Sequence, residues 1–303
     1  MIYGIGETVF DIVFDHSNHP VSGCPGGSVF NSMISIGRSG RKGAFIGEVG
    51  DDQVGELTRK FLRDNGIDDS CVVTNTGNKS HISIAFLDEE AKAHYTFYKD
   101  YQAQMLDFRT PQFAEGDFFL FGSYFVLNKR LRQRTAQTIE AAAREGATRV
   151  YDINFRNSHA DEAPAVRDTI RQNMRTANIV KASNEDILNA FGSADWRQVY
   201  RDEIAKCCEF FICTEGSQGA TLVWRGGERH VEAQELTPVN TIGAGDSFNA
   251  GMVCGLEEQG VTAKEIARAD EATVEKIVRA MEVGVGFASE VCLSTDNYIA
   301  QRK

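Results

Sequence analysis

The stretch "TRVYDINFRNSHADEAPAVRDTIRQNMRTANIVKAS", residues 148–183, decides the fold class. It opens with the β-type run "TRVYDIN", continues through a helical pattern over 163–175 and closes with a second β-type run, "ANIVKAS". A strand, a helix and a strand in this order predict two parallel neighbours in one sheet, joined by a right-handed crossover.

The same alternation continues on both sides of this stretch. The further predicted helices are 28–38, 52–66, 128–145 and 184–191, and the further predicted strands are 3–14, 42–50, 117–123 and 209–215. Residues 219–233 alternate around Gly226-Gly227, which predicts an antiparallel hairpin, and the last sixty residues are helical in pattern. The sequence therefore predicts an α/β fold with a doubly wound, mostly parallel sheet.

One region interrupts the alternation. Three β-type runs, "CVVTN", "HISIAFLDEE" and "AHYTFYKD", follow one another between residues 71 and 100 with no helix among them. Together with the outward end of the first strand, past Asp11, they predict a small β-sheet lid standing off the main body. We place the lid at 11–23 and 71–100 and the α/β core at 1–10, 24–70 and 101–303.

Composition excludes several partners. The 303 residues include 43 acidic and 32 basic side chains, and a formal charge of −11 repels nucleic acid and anionic membranes. The N-terminus lacks the pattern of a secretory signal, and no apolar run reaches the roughly 18 residues that span a bilayer, so we expect a cytoplasmic protein. The seven cysteines form no C-x-x-C pair, which favours reduced thiols over a zinc site or a disulfide framework.

The strongest chemical signal is "NTIGAGDSF", residues 240–248. Glycines at 243 and 245 let the backbone approach a phosphate, and the bare N–H groups of a helix start bind anions. Asp246 follows directly, where a carboxylate can accept the proton of an attacking hydroxyl. The alternative is that Asp246 only caps a buried helix, with the glycines allowing tight packing.

Other nucleotide motifs are missing from the chain. No G-x-x-x-x-G-K-[ST] occurs, and no strand lysine, H-R-D and D-F-G occur in order, which excludes P-loop enzymes and protein kinases. A second glycine-rich loop, "GCPGGSVFN" at 23–31, leads into a helix but is a weak signal by itself.

Eight ordered segments together resemble one family. They are "GETVFD" (6–11), "GGSVFN" (26–31), "IGEVGDDQVG" (46–55), "YTFYK" (95–99), "DINFR" (152–156), "KASNED" (181–186), "TEGSQG" (214–219) and "NTIGAGDSFNAG" (240–251). This order is similar to that of the ribokinase-like (PfkB) carbohydrate kinases over nearly the whole length. The lid segment and "LFGSYF" (120–125) resemble the fructokinase branch.

The resemblance implies a ribokinase-like fold, a lid over the sugar and transfer of the γ-phosphoryl group of ATP to a sugar hydroxyl. By motif position, Asp246 is the general base, with Arg156 offsetting developing charge. The implied anion hole consists of Gly243, Ala244 and Gly245. The implied sugar contacts are Asp11, Gly27, Asn31, Phe97, Asn154 and Asp246.

The same resemblance assigns the nucleotide side and its ions. The implied ATP contacts are Lys181, Ser183, Thr214, Gly216, Gly219, Thr241, Gly243 and Gly245. Asp186 is implied to reach Mg²⁺ through water, although Ser183 and Asp186 are smaller than the Asn and Glu usual at these two positions. Asn240 replaces the usual Asp of a monovalent-cation site, so K⁺ activation is not predicted.

The sequence therefore predicts an ATP-dependent sugar kinase, with fructokinase as the first interpretation. Two alternatives stay open: another PfkB-type kinase, acting on 2-keto-3-deoxygluconate, ribose or a nucleoside, and a catalytically weak sugar- or nucleotide-binding sensor. The exposed edges and face of a small lid predict a homodimer formed through the lid.

Overall fold

The computed structural model describes residues 1–88, 93–98 and 108–302. Within these residues the chain forms one large sheet and one small sheet, with helices on both faces of the large one. The predicted α/β class and doubly wound arrangement are confirmed.

The large sheet has ten strands in the described part of the chain, and most neighbours are parallel. Its strands are β1 (Ile2–Ile5), β4 (Gly43–Gly50), β5 (Ile67–Asp68), β6 (Val72–Asn75), β9 (Phe118–Gly122), β10 (Thr148–Asp152), β11 (Ile179–Ser183), β12 (Phe210–Thr214), β13 (Ala220–Trp224) and β14 (Gly227–Val231). The order is β14-β13-β12-β11-β10-β9-β1-β4-β5, and β6 also pairs with β4. Only β12-β13 and β13-β14 are antiparallel in this sheet.

The small sheet has the order β3-β2-β7-β8. Its strands are β2 (Val9–Phe14), β3 (Pro20–Gly26), β7 (Ile82–Leu87) and β8 (Ala93–Tyr98). β2 and β7 are parallel, whereas the two outer pairs are antiparallel.

Helices cover both faces of the large sheet. The α-helices are α1 (Ser28–Arg38), α2 (Gln53–Asp64), α3 (Arg132–Arg144), α4 (Ala163–Thr176), α5 (Asn184–Phe191), α6 (Trp196–Val199), α7 (Ala244–Glu258), α8 (Ala263–Ile266) and α9 (Glu271–Cys292). Short 3₁₀ helices lie at Tyr124–Leu127, Asn157–Glu162 and Gly216–Gln218, and a π-helical turn lies at Tyr200–Ile204.

The apolar strand runs follow from this layering. In β9, Phe118 and Leu120 belong to the core cluster that includes residues of α1, α7 and α9. Phe119 and Phe121 belong to the cluster on the opposite face, with residues of α3, α4 and α5. A strand that is covered on both faces has no polar side, so it reads as a continuous hydrophobic run.

Three details of the predicted strands are wrong. Residues 72–75 were assigned to the lid, but they pair in parallel with β4 at Gly47–Gly50 and extend the large sheet. The fourth strand of the small sheet is instead Pro20–Gly26, which was not among the predicted strands. The first predicted strand is two strands, β1 and β2, in different sheets.

The hairpin near the C-terminal third is also shifted by one residue. Trp224 pairs with Gly227, so the two-residue loop is Arg225-Gly226 and not Gly226-Gly227. The helical pattern of the last sixty residues is confirmed by α7, α8 and α9.

Glu48 is a partly buried carboxylic acid near the carboxyl end of β4. Burial raises the pKa of Glu48 to about 7, and a hydrogen bond of 2.7 Å from Asn75 Nδ2 opposes this rise. The pKa exceeds the ordinary value of 4.5, so the contribution of Glu48 to stability is fully present below pH 4.5 and is lost as the pH rises through 7.

We therefore expect Glu48→Gln to remove this loss. Between pH 5 and pH 8, the free energy of unfolding of the wild type should fall by about 2 kcal/mol relative to that of the variant. Urea unfolding at both pH values measures this difference. Glu56→Gln, an exposed position on α2, is the matched control and should follow the wild type. Parallel pH profiles for the Glu48 variant and the wild type would contradict the assignment.

Candidate active site

Asp246 lies where the first turns of two helices meet. It is in the first turn of α7, and its carboxylate accepts hydrogen bonds from residues of α1: Ser28 Oγ at 2.8 Å and Asn31 Nδ2 at 2.9 Å. Ser32 Oγ also donates to the Asp246 backbone carbonyl at 2.8 Å. With 6 % of its surface exposed, the carboxylate is buried and held by donors on both oxygens.

This environment sets the protonation of the carboxyl group. Burial raises the pKa of Asp246, while the hydrogen bond from Asn31, the positive charge of Arg156 and the hydrogen bond from Ser28 lower it. The nearby Asp152 raises it further. A carboxylate whose pKa is raised is a stronger proton acceptor than an ordinary aspartate, provided that the pH keeps it ionised.

The helix-cap alternative for Asp246 is wrong. The N-cap of α7 is Gly243, which has φ +80°, and no side chain caps this helix. Tight packing is nevertheless real at Gly243, since a Cβ atom there would lie 2.4 Å from the carbonyl oxygen of Asn297. The N–H groups of Gly245 and Asp246 meet no protein acceptor among the described residues, as expected for an anion site at a helix start.

The small sheet contributes one row of side chains on a single face. Asp11 is paired with Cys24 on β3 and with Ser83 on β7, and Ser83 is paired with Phe97 on β8. Directly paired residues point to the same face, so this register brings together Asp11 and Phe97. Phe97 is 52 % exposed.

Ser83 is a site residue that the sequence analysis missed. It is fully buried and donates a short hydrogen bond to Asp11 Oδ1. Burial raises the pKa of Asp11, and the bond from Ser83 opposes this rise. Ser83 is the one polar residue in the otherwise apolar strand "ISIAFL", and that exception was the available signal.

Asp11 and Asn31 converge beside the glycine-rich loop. A Cβ atom built on Gly26 would lie 2.5 Å from Asp11 Oδ2 and 3.7 Å from Asn31 Oδ1. Asn31 donates from Nδ2 to Asp246, and its buried Oδ1 has no hydrogen-bond partner among the described residues. The next residue, Gly27, has φ +131° and would place a Cβ atom 2.3 Å from the carbonyl oxygen of Glu7. Two acceptors at this loop suit a ligand that donates hydroxyl protons.

The end of β10 supplies the third side of the site. Asn154 has φ +36° and donates from Nδ2 to Ser28 Oγ at 2.7 Å. Arg156, two residues later, is exposed at the start of the 3₁₀ helix 157–162, and its charge acts on Asp246. The predicted residues Asn154, Arg156 and Asp246 therefore occupy one site.

Lys181, a predicted nucleotide contact, is buried, with 3 % of its surface exposed. Its ammonium is buried beside Asp152, with Nζ 3.2 Å from Oδ1, and Asn249 Nδ2 donates to Asp152 Oδ2 at 2.7 Å. A Cβ atom on Gly245 would lie 3.6 Å from Lys181 Nζ, so this charge is beneath the start of α7. Burial raises the pKa of Asp152 and Lys181 lowers it.

The other predicted nucleotide residues lie at neighbouring strand ends and turns. Ser183 and Thr214 are paired in register at the carboxyl ends of β11 and β12. Gly216 and Gly219 flank the turn after β12, and a Cβ atom on Gly219 would lie 2.1 Å from the carbonyl oxygen of Val231. Thr241 is exposed in the loop before α7.

Asp186, for which water-mediated contact with Mg²⁺ is predicted, takes part in the N-terminal cap of α5. It forms a capping box with Ser183: Asp186 Oδ2 accepts from Ser183 N at 2.8 Å and from Ser183 Oγ at 2.7 Å. The described residues include no group of three or more His, Cys, Asp or Glu arranged to hold a metal. Water-mediated contact with Mg²⁺ stays a prediction, and such an ion would depend mainly on the phosphates and on water.

Residues 2–298 match the pfkB family carbohydrate kinases. The chain belongs to this family. The enzyme class expected from the sequence, an ATP-dependent carbohydrate kinase, is thereby confirmed.

Curated relatives in this family act on different acceptors. The chain is 27% identical over 263 residues to a fructokinase of Klebsiella pneumoniae, covering 86% of this chain and 85% of that protein. It is 25% identical over 259 residues to an aminoimidazole riboside kinase of Salmonella typhimurium, covering 84% and 80%. The resemblance to PfkB kinases with fructokinase relatives is confirmed.

Solved structures support the fold. The fructokinase of Vibrio cholerae O395, in a form with bound fructose, ADP and calcium ion, has a TM-score of 0.82 at 22% identity, covering 99% of this chain and 95% of that chain. The aminoimidazole riboside kinase of Salmonella enterica, complexed with aminoimidazole riboside and an ATP analog, has a TM-score of 0.80 at 23% identity, covering 99% and 96%. The expected ribokinase-like fold with its small sheet is confirmed.

Within the described part of the chain, no helix combines the length and the apolar character that crossing a membrane requires.

We expect Lys181→Met to destabilise this kinase by roughly 3–5 kcal/mol, because it leaves the buried Asp152 carboxylate without its counter-charge. The double variant Asp152→Asn/Lys181→Met removes both charges and should recover much of the loss. Urea unfolding of the wild type, the single variant and the double variant measures both steps. Equal losses in the single and the double variant would show that the ion pair is not what stabilises this region.

Proposed function

We propose that this kinase transfers the γ-phosphoryl group of ATP to a hydroxyl group of a hexose, with fructose as the first candidate. The observation that carries the proposal is the position of the buried Asp246 carboxylate. It lies between N–H groups without protein acceptors at the start of α7 and the acceptor oxygens of Asp11 and Asn31. In such an arrangement the carboxylate lies between a bound anion and a ligand that carries hydroxyl groups, which suits a base for phosphoryl transfer.

The proposed reaction assigns a task to each side of the site. Asp11 and Asn31 accept protons from sugar hydroxyls, with Gly27 shaping the loop and Phe97 against the ring. Asp246 removes the proton of the attacking hydroxyl as its oxygen bonds to the γ-phosphorus and the bond to ADP breaks. Because Asp246 accepts donors from α1 on both oxygens, it is already oriented before the sugar arrives.

The remaining groups would hold the nucleotide and its charge. Gly243 and Gly245 would present N–H groups to the phosphates, whereas the N–H of Ala244, the third predicted member of the anion hole, donates to the carbonyl oxygen of Thr241 at 3.3 Å. Arg156 would offset the charge that develops on the transferred group. Ser183, Thr214, Gly216, Gly219 and Thr241 would contact the nucleotide. Mg²⁺, when bound with ATP, neutralises phosphate charge, and Asp186 would reach it through water. Lys181, which is buried beneath the start of α7, would add positive charge near Gly245.

The choice of fructose rests on the relatives. Fructokinases of Klebsiella pneumoniae and Escherichia coli are 27% and 26% identical to this chain. The aminoimidazole riboside kinase of Salmonella typhimurium is similar to a comparable degree, which favours a riboside as the second candidate acceptor. Phe97 is exposed on the lid face that carries Asp11, so it offers a surface to a sugar ring or to a base.

The deciding experiment is ADP release from MgATP across fructose, glucose, ribose, 2-keto-3-deoxygluconate, adenosine and aminoimidazole riboside. We expect strong turnover with one acceptor, and a loss of roughly 10²–10⁴ in kcat for Asp246→Asn, because the amide cannot take the proton. Asp168→Asn, on an exposed surface of α4, is the control and should keep wild-type turnover.

Each alternative has its own outcome in this assay. Turnover with the riboside alone would replace fructose by the second candidate. Tight binding of one compound without ADP release would favour the sensor. An Asp246→Asn variant with wild-type kcat would remove Asp246 from the role of base.

We also propose that two copies of the chain pair through their small sheets. The face opposite the Asp11 row carries Phe10, Ile12, Phe14, Ile82, Ile84 and Phe86 by strand register. Phe14 and Phe86 stack at 5.0 Å between ring centroids, and Phe86 is still 39 % exposed. An apolar sheet face of this kind is typical of a surface that a partner covers.

Light scattering tests this pairing. We expect the mass of a dimer for the wild type and of a monomer for Phe86→Glu, which places a charge in the face that the second copy would cover. Leu188→Glu, an exposed leucine on α5, is the matched control and should leave the mass unchanged. A monomeric wild type at working concentration would end the proposal.

A further inference from the structure

Ser28 lies in the segment "GGSVFN" and has no predicted role, yet it connects two parts of the site. Its hydroxyl accepts a hydrogen bond from Asn154 Nδ2 at 2.7 Å and donates one to Asp246 Oδ1 at 2.8 Å. Ser28 is the first residue of α1 and is half-buried beside the carboxylate. A single hydroxyl thus joins α1, the end of β10 and the first turn of α7.

The direction of this chain follows from the chemistry of its members. An ionised Asp246 only accepts, so the one proton of the Ser28 hydroxyl is directed at Oδ1. The Ser28 oxygen is then left to accept, which matches an amide donor on Asn154. The arrangement is complete only while Asp246 is ionised, since a protonated carboxyl group competes as a donor.

The charges around Asp246 come from several elements. Arg156 approaches from the loop after β10, Asp152 lies at the end of β10, and Lys181 on β11 pairs with Asp152. Asp11 on β2 faces the neighbouring Asn31 across the glycine-rich loop. Against the burial of the carboxylate, the donors from α1 and the charge of Arg156 are the groups that favour its ionised form.

We propose that Ser28 is a positioning residue for phosphoryl transfer, which holds Asp246 Oδ1 in place and ties the base to the Asn154–Arg156 loop. The inference rests on the proposed kinase function, because it assigns Ser28 a task in that reaction. One consequence is that Asp246 and Asn154, which are far apart in the chain, keep a fixed relation before substrate binds. A second is that the Ser28 hydroxyl keeps the base ionised toward lower pH.

The test compares Ser28→Ala with Ser28→Thr, which retains the hydroxyl, and with Ser32→Ala. Ser32 is the matched control, because it is on the same helix and donates to the Asp246 backbone carbonyl but not to the carboxylate. We expect Ser28→Ala to lower kcat roughly tenfold with a smaller change in the KM of the sugar, which corresponds to the loss of one charge-assisted hydrogen bond. Ser28→Thr should recover most of that loss.

The pH profile separates positioning from general stability. Asp246 must be ionised, so kcat/KM falls as the pH drops through its pKa, and this acid limb should move to higher pH in Ser28→Ala. The limb should keep its wild-type position in Ser32→Ala, whatever that variant loses in stability. An unshifted limb and wild-type kcat in Ser28→Ala would overturn the proposal.

A measurement without turnover distinguishes this proposal from the proposed function. The carboxyl carbon of Asp246, assigned in ¹³C-aspartate-labelled protein by its loss in Asp246→Asn, can be titrated by NMR in the wild type and in Ser28→Ala. A higher pKa of Asp246 in Ser28→Ala than in the wild type, together with the kinetic changes, supports the proposal, and identical titrations overturn it. If the wild type transfers phosphate to no acceptor, the proposed function has failed and a catalytic task for Ser28 fails with it, even where the titration shifts.

Discussion

The structure depends on one buried carboxylate. Asp246 is removed from water in the first turn of α7, and a charge in such a place is costly unless donors surround it. The donors are the side chains of Ser28 and Asn31, both in the first turn of α1 or just beyond it. Two helix N-termini therefore face one acid, and each adds the positive end of its dipole to the same point. Hydrogen bonds from Ser28, Asn31 and Ser32 to Asp246 thus join α1 to α7 in addition to the apolar contacts between the two helices.

That requirement also links the two sheets. α1 follows directly after β3, the edge strand of the small sheet, through Gly27. On the other side, the C-terminal segment touches both loops: Tyr298 donates a short hydrogen bond to the carbonyl oxygen of Pro25, and Asn297 packs against Gly243. A movement of the small sheet is thus coupled, through a few bonded residues, to the helix start that carries Asp246.

The sequence predicted the layering of the fold but not every strand partner. A strand–helix–strand order implies a parallel sheet wherever both strands are apolar, and this holds from β9 to β12. Residues 72–75 show only that they are extended. Their partner is decided by β4, whose eight residues pair first with β5 and then have free length for β6. Pro20–Gly26 was missed because its prolines and glycines read as a break, although an edge strand tolerates them.

The sequence likewise predicted some residues of the candidate site and not others. Asp11, Asn31, Asn154 and Asp246 could be named because each belongs to a segment that resembles a family motif. Ser83 could not, since a lone serine carries no pattern, and Ser28 was passed over although it lies in the segment "GGSVFN". Ser28 meets Asp246 across 218 positions of sequence, and Ser83 meets Asp11 across 72, so only the folded chain joins them.

The same contacts explain how a protein with a formal charge of −11 can present a site for a polyphosphate. Two acids, Asp152 and Asp246, lie close to the start of α7 and by themselves would repel an anion. Lys181 neutralises the first, while Arg156 and the helix N-termini oppose the second. Asp152, Lys181 and Asp246 are buried, so water screens them little, and their charges weigh more in the local field than the acidic residues of the surface do. In the proposed reaction Asp246 would have to stay ionised beside the phosphates, because phosphoryl transfer to a hydroxyl needs a proton acceptor and an anion site together.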